Sequence, residues 1–198
     1  MKYYLKMAFM PFIYLLFSAM LGLSIGLLNE DLMILEYFLC ALNLALYAVV
    51  IGVAAFKDGQ SELKIRMEND IYRQRIIETG EDYPLRRLEE YKPWKGYVIG
   101  LISAIPSVVL VLIHFIMMAS SPKVDNTFGV FAGLLNMVVF SFFMVKTPIP
   151  SWQYVFSLLY IPFILVVYGL LYHLGGRQMQ KQYDKIEAIK KQIGGGNK

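Results

Sequence analysis

The chain has 198 residues, 57% of them hydrophobic, with a mean hydropathy of +0.50 and a formal net charge of +4. A water-soluble protein of this length would have to expose large contiguous apolar patches to carry that composition, which excludes an ordinary soluble domain. The basic residues lie in connections and ends, without a zinc-finger pattern or an aromatic-interleaved sheet, so the charge is a topology signal and nucleic acid is not an expected partner.

Five apolar blocks follow one another: Ala8–Leu28, Leu32–Phe56, Tyr97–Ala119, Phe128–Val145 and Tyr154–Leu174. Each is close to the ~20 residues that a helix needs to cross ~30 Å of hydrocarbon. The expected fold is all-α: one integral membrane domain over 1–198, a polytopic helix bundle of five hydrophobic segments making four or five full crossings. The first block follows a basic flank, Lys2 and Lys6. It is too long for the h-region of a cleaved leader and reads as a retained span.

The second block holds Glu36, Cys40 and Asn43. A single cysteine excludes an intramolecular disulfide and a Cys-x-x-Cys site. Two histidines in separate blocks, His114 and His173, are too few for a His-rich metal centre, and neither metal nor cofactor is expected.

The charged loop 57–95 carries nine basic and nine acidic residues. Ser61–Thr79 reads as an amphipathic helix, with Leu63, Met67 and Ile71 on one face. Glu62/Arg66, Lys64/Glu68 and Arg66/Asp70 stand as opposite charges at i,i+4. Gly80 is placed to end it in a left-handed cap. A second short helix is expected over Pro84–Tyr91, stopped by Pro93. The loop is read as a helical hairpin on the membrane surface or the bundle, or as a docking platform for a partner.

The third block opens at Trp94 and Tyr97 and the fifth at Trp152 and Tyr154, aromatic residues suited to the headgroup level. The tail 175–198 is separated from the fifth block by Gly175-Gly176, which should break the helix. Met179, Tyr183, Ile186 and Ile193 then form a stripe flanked by lysines. Such a basic amphipathic helix would lie on anionic lipid or self-associate.

Lys and Arg divide unevenly. The N-terminal flank has two, loop 57–95 nine and the tail six, whereas Asn29–Asp31 has none. The positive-inside rule puts the N-terminus and the loop in the cytoplasm, beneath a cytoplasmic membrane. The tail joins them only if Phe128–Val145 enters and leaves on one side, the arrangement the rule prefers.

Small residues four apart let helix backbones approach. The candidates are Gly22 and Gly26, Gly96 and Gly100, and Gly129 and Gly133. Pro106 and Pro162 lie well inside their blocks and should bend them as kinks or hinges. Polar groups at depth are Glu36, Asn43, His114 and Asn136, the candidate intramembrane site. Glu36 lies near the start of its block and is placed at the outer interface, at a depth similar to His114. His173, at the end of the fifth block, is expected at an interface.

No His-Glu-x-x-His, Gly-x-Ser-x-Gly or P-loop pattern occurs, and no aspartate lies within a block. The expectation is therefore a non-enzymatic multi-pass protein, partnered by the bilayer and by another protein or further copies of itself. The alternative is a small transporter or channel with a cavity between kinked helices three and five, using Glu36, His114 and Asn136.

Overall fold

The computed structural model describes residues 2–26, 33–120, 127–136 and 151–195. Among these there are helices and no strands. The helices are α1 (Lys2–Gly26), α2 (Met33–Thr79), α3 (Lys95–Ser120) and α4 (Thr127–Leu135). The last stretch is one helical run of changing pitch. A 3₁₀ segment (Ser151–Leu159) leads into α5 (Tyr160–Ile164), a π turn (Leu165–Leu170) and α6 (Leu171–Gly195). Among the described residues, four helical stretches are long and apolar enough to cross a membrane, in α1, α2, α3 and the run Tyr154–Ile189. The second half of the fourth block lies outside the described residues, so whether Phe128–Val145 crosses does too.

α2 has 47 residues, roughly 70 Å of helix against ~30 Å of hydrocarbon. The expected helix Ser61–Thr79 is present, but as the unbroken continuation of the second span. No proline interrupts 57–61 and Gly59 stays helical. A Cβ on Gly59 would stand 2.1 Å from the Tyr172 carbonyl oxygen, so glycine serves here as a contact surface. The helix ends at Gly80, whose φ of 71° is the expected left-handed cap.

The tail corrects one expectation outright. α6 runs through Gly175 and Gly176 without a break. A Cβ on Gly175 would lie 2.1 Å from the Phe56 carbonyl oxygen, and one on Gly176 would strike the Tyr91 ring at 2.2 Å. The packing of α2 on α6 holds both glycines helical, and their missing side chains permit the approach.

The helix expected over Pro84–Tyr91 shrinks to a 3₁₀ turn, Arg87–Glu89. Its backbone is claimed elsewhere. The Arg86 N–H donates to Asn69 Oδ1 (3.1 Å), the Tyr91 N–H to the Glu62 carbonyl (3.1 Å), and the Leu88 carbonyl accepts from Lys95. The charges foreseen as i,i+4 pairs on α2 also turn to this connector. Glu68 pairs with Arg86 of the connector at 2.6 Å, whereas Asp70 pairs within α2 with Arg73 at 2.5 Å, and Arg73 in turn reaches Glu90 of the connector.

The core runs along the last helix. Tyr160, Ile164, Tyr168 and Tyr172 recur at four-residue steps and are all fully buried. Opposite them α3 presents Gly96 and Gly100, as expected of packing glycines. A Cβ on Gly96 would meet the Tyr172 Cβ at 2.7 Å and its ring at 2.8 Å, and one on Gly100 the Ile164 carbonyl at 3.4 Å. Gly22 and Gly133 are buried as well; Gly26 ends α1 and Gly129 lies in α4. α3 continues through Pro106. At Pro162 the hydrogen-bond pattern changes on both sides, from 3₁₀ before α5 to π after it.

Candidate functional site

The polar groups foreseen at depth act as stitches between helices. Asn43 joins α2 to α1: its Oδ1 accepts from the Ser18 hydroxyl (2.9 Å), and its Nδ2 donates to the Ser18 carbonyl (3.1 Å). Asn136, just past α4, accepts from Ser107 of α3 at 2.8 Å. His114 is buried near the far end of α3, edge-on to Tyr154 with ring centres 5.0 Å apart. Glu36 occupies the first turn of α2, where a carboxylate is favoured by the helix dipole, and its side chain is buried. Asn43 and Asn136 thus serve different seams. A further hydroxyl bridge, unforeseen, links Tyr47 to Tyr160 (2.7 Å) and to the Pro11 carbonyl (3.2 Å), tying α1, α2 and α5.

The densest chemistry lies elsewhere, at the end of the bundle where α3 begins. Lys95, its first residue, has a side chain only 1% exposed, and its Nζ stands 2.8 Å from the Glu62 carboxylate, itself 3% exposed. The ammonium also donates to the Leu88 carbonyl (2.9 Å) and the Glu90 carbonyl (3.4 Å), which uses all three of its protons. Its charge sits 4.3 Å from the centre of the Tyr3 ring. Glu62 accepts two more hydrogen bonds, from the hydroxyls of Tyr3 and Tyr172. One turn earlier on α2, Asp58 accepts from Tyr168 at 2.8 Å.

Tyr91 closes the cluster from the connector. Its hydroxyl shares a 2.9 Å hydrogen bond with His173 Nδ1, and its ring stacks on Tyr172 at 5.3 Å. Burial pushes the Tyr91 phenol above its ordinary range, against the opposing pull of Arg177 and Arg66. His173, expected at an interface, is held in this contact.

One buried ammonium and one buried carboxylate would each cost several kcal/mol alone. Here every donor and acceptor of the pair is matched, so the cluster is a clamp. It fastens the N-terminus, α2, the connector, α3 and the last helix at one point. Glu62 and Lys95 are 33 positions apart, and neither was foreseen as a site residue. The available signal was the tyrosine stripe 160/168/172: three hydroxyls on one buried helix face demand acceptors nearby.

Grooves beside α3 are apolar. One of about 280 Å³ is lined by residues such as Val98, Leu101, Ile105 and Ile161. Another of about 450 Å³ lies between α1, α3 and α4, against Leu16, Met20, Leu110 and Phe131. Comparison with known protein families, curated proteins and solved structures finds no match to this chain.

Beyond the clamp, α2 and α6 run on side by side in the same direction. Gln60 meets Gln178 (3.2 Å), and Met179 packs on the core near Leu63 and Met67. This pair forms a helical stalk. It encloses a cleft of about 330 Å³ lined by Met67, Ile71, Gln74, Gln180 and Tyr183 among others. Ile71, Ile77, Ile186 and Ile189 remain exposed on it.

Proposed function

We propose that this chain is a non-enzymatic, multi-pass subunit of a membrane complex, and that the stalk is its docking element. The observation that carries the reading is the stalk itself: two helices rich in charge, continuous with spans, that leave isoleucines uncovered. Charged helix faces mark water-facing structure, and apolar residues left bare on such a structure mark a contact surface.

Orientation follows from charge. The N-terminal flank, the stretch 57–95 and the tail come together at one end, tied by Tyr3–Glu62, Tyr91–His173 and Gln60–Gln178. Those three segments hold seventeen of the nineteen Lys and Arg residues. The positive-inside rule therefore supports a cytoplasmic membrane with this end in the cytoplasm.

Affinity purification of the full chain in mild detergent, followed by native mass spectrometry, tests the proposal. A stoichiometric second polypeptide, or a defined homo-oligomer, is the expected result. A monomer that carries nothing out of its native membrane overturns it.

The π turn favours a second reading, a small transporter, because such turns concentrate at functional sites. It expects liposome transport that is lost on Glu36→Gln or His114→Ala. The apolar lining of the grooves beside α3 gives a polar solute little to bind.

A further inference from the structure

The stalk closes at its root and opens toward its tips. At the root Leu63 is 3% exposed; farther out Ile186 and Ile189 are 52% and 54% exposed. Both helices place residues in alternating four- and three-residue steps, from Leu63 through Met67 to Ile77 on α2 and through Met179, Tyr183 and Ile186 on α6. That spacing is the seam of a helical coil. On α2, however, two steps in the outer half fall on Asp70 and Gln74. Neither can fill an apolar layer opposite Ile186, so the pair cannot bury its own outer isoleucines.

We propose that a second copy of this chain closes the open half, its stalk packing beside the first to form a four-helix bundle. The proposal rests on the reading of the stalk as a docking element and names its partner. Charge selects the occupant. Residues 177–191 of α6 hold five basic and two acidic side chains, whereas 66–82, the outer part of α2 and its cap, hold three basic and five acidic. Two copies inserted in the same sense are related by a two-fold axis along the membrane normal. That axis sets the α6 of each against the α2 of the other and matches opposite signs at both contacts at once. A bilayer of anionic lipid would suit the tail alone and would meet the acidic stretch of α2 with like charge.

The test uses the full chain in nanodiscs of neutral lipid, with mass read by native mass spectrometry across a concentration series. The wild type should be a dimer that weakens as salt is raised. Lys185→Glu with Lys191→Glu should weaken self-association about tenfold or more. Asp70→Lys with Glu78→Lys, at similar heights on α2, should do the same, and the four substitutions together should restore the dimer. That rescue separates an interface from misfolding. A monomer at every concentration, a dimer indifferent to both reversals, or assembly only with anionic lipid overturns the second copy as occupant. If such a monomer still carries a stoichiometric different protein from its membrane, the subunit reading stands and only this inference falls; a monomer that carries nothing overturns both.

Discussion

Lys95 stands where a connector becomes a span, and the surrounding chemistry dictates what its removal does. Lys95→Met takes away the only cation among the described residues within bonding reach of the buried Glu62 carboxylate and leaves it to the hydroxyls of Tyr3 and Tyr172. Breaking a buried pair from one side costs about 3–5 kcal/mol, because the remaining charge is stranded. Adding Glu62→Gln removes that charge while keeping an acceptor for the tyrosines. The double variant should therefore lose less stability than Lys95→Met alone. Unfolding titrations of the two variants in mixed micelles check this; a double variant no better than the single would show that the pair's charge is not what matters. Much at this scale was hidden from the sequence. Glu62 has Arg66 one turn away, so local spacing offers it a solvent-facing partner. Only the meeting of α2 with α3 reveals that the partner is Lys95. Asn43 and Asn136 were legible as groups needing partners, since an amide at depth must find one, but the identities Ser18 and Ser107 depend on helix register.

Helix elements are set by apolar length and by glycine, and the two work differently here. The long blocks were legible because hydrocarbon demands unbroken runs, and the Gly80 stop because a left-handed residue ends a helix. Gly175 and Gly176 misled for a physical reason: the same absent Cβ that frees a backbone also lets two helices touch, and tertiary packing decides between the outcomes. At Gly59 the contact is with backbone, which cannot rotate aside. Gly59→Ala should thus push α6 away from α2 and cost about 1–3 kcal/mol, the range for overpacking. The measurement is again unfolding in mixed micelles, with Gly80→Ala as a contrast. Nothing lies within 4 Å of a Cβ at Gly80, so that change strains the cap without separating helices. It should leave the Tyr91–His173 contact intact.

At the scale of the whole molecule, the arrangement follows from which ends are tied together. α1 starts at the clamp, α2 finishes its apolar part there, α3 begins there, and the last helix reaches it at Tyr172. The tail beyond must emerge beside the connector, whatever residues 137–150 do. Charge counting alone left this open, because the fifth block could end on either side depending on the fourth. The contacts of Gly59 with Gly176 and of Gln60 with Gln178 are what bind the tail to α2. The prediction is a shared compartment for three points. In a Cys40→Ala background, single cysteines at Glu81, Gln74 and Asp184, all on exposed positions, should react together with a membrane-impermeant maleimide. They should be protected in intact cells and labelled in inside-out vesicles, since the positive-inside rule assigns this end to the cytoplasm. Labelling of all three in intact cells would reverse the orientation and keep the fold. Labelling of Asp184 on the side opposite Glu81 would contradict the packing of α6 on α2, and with it the stalk.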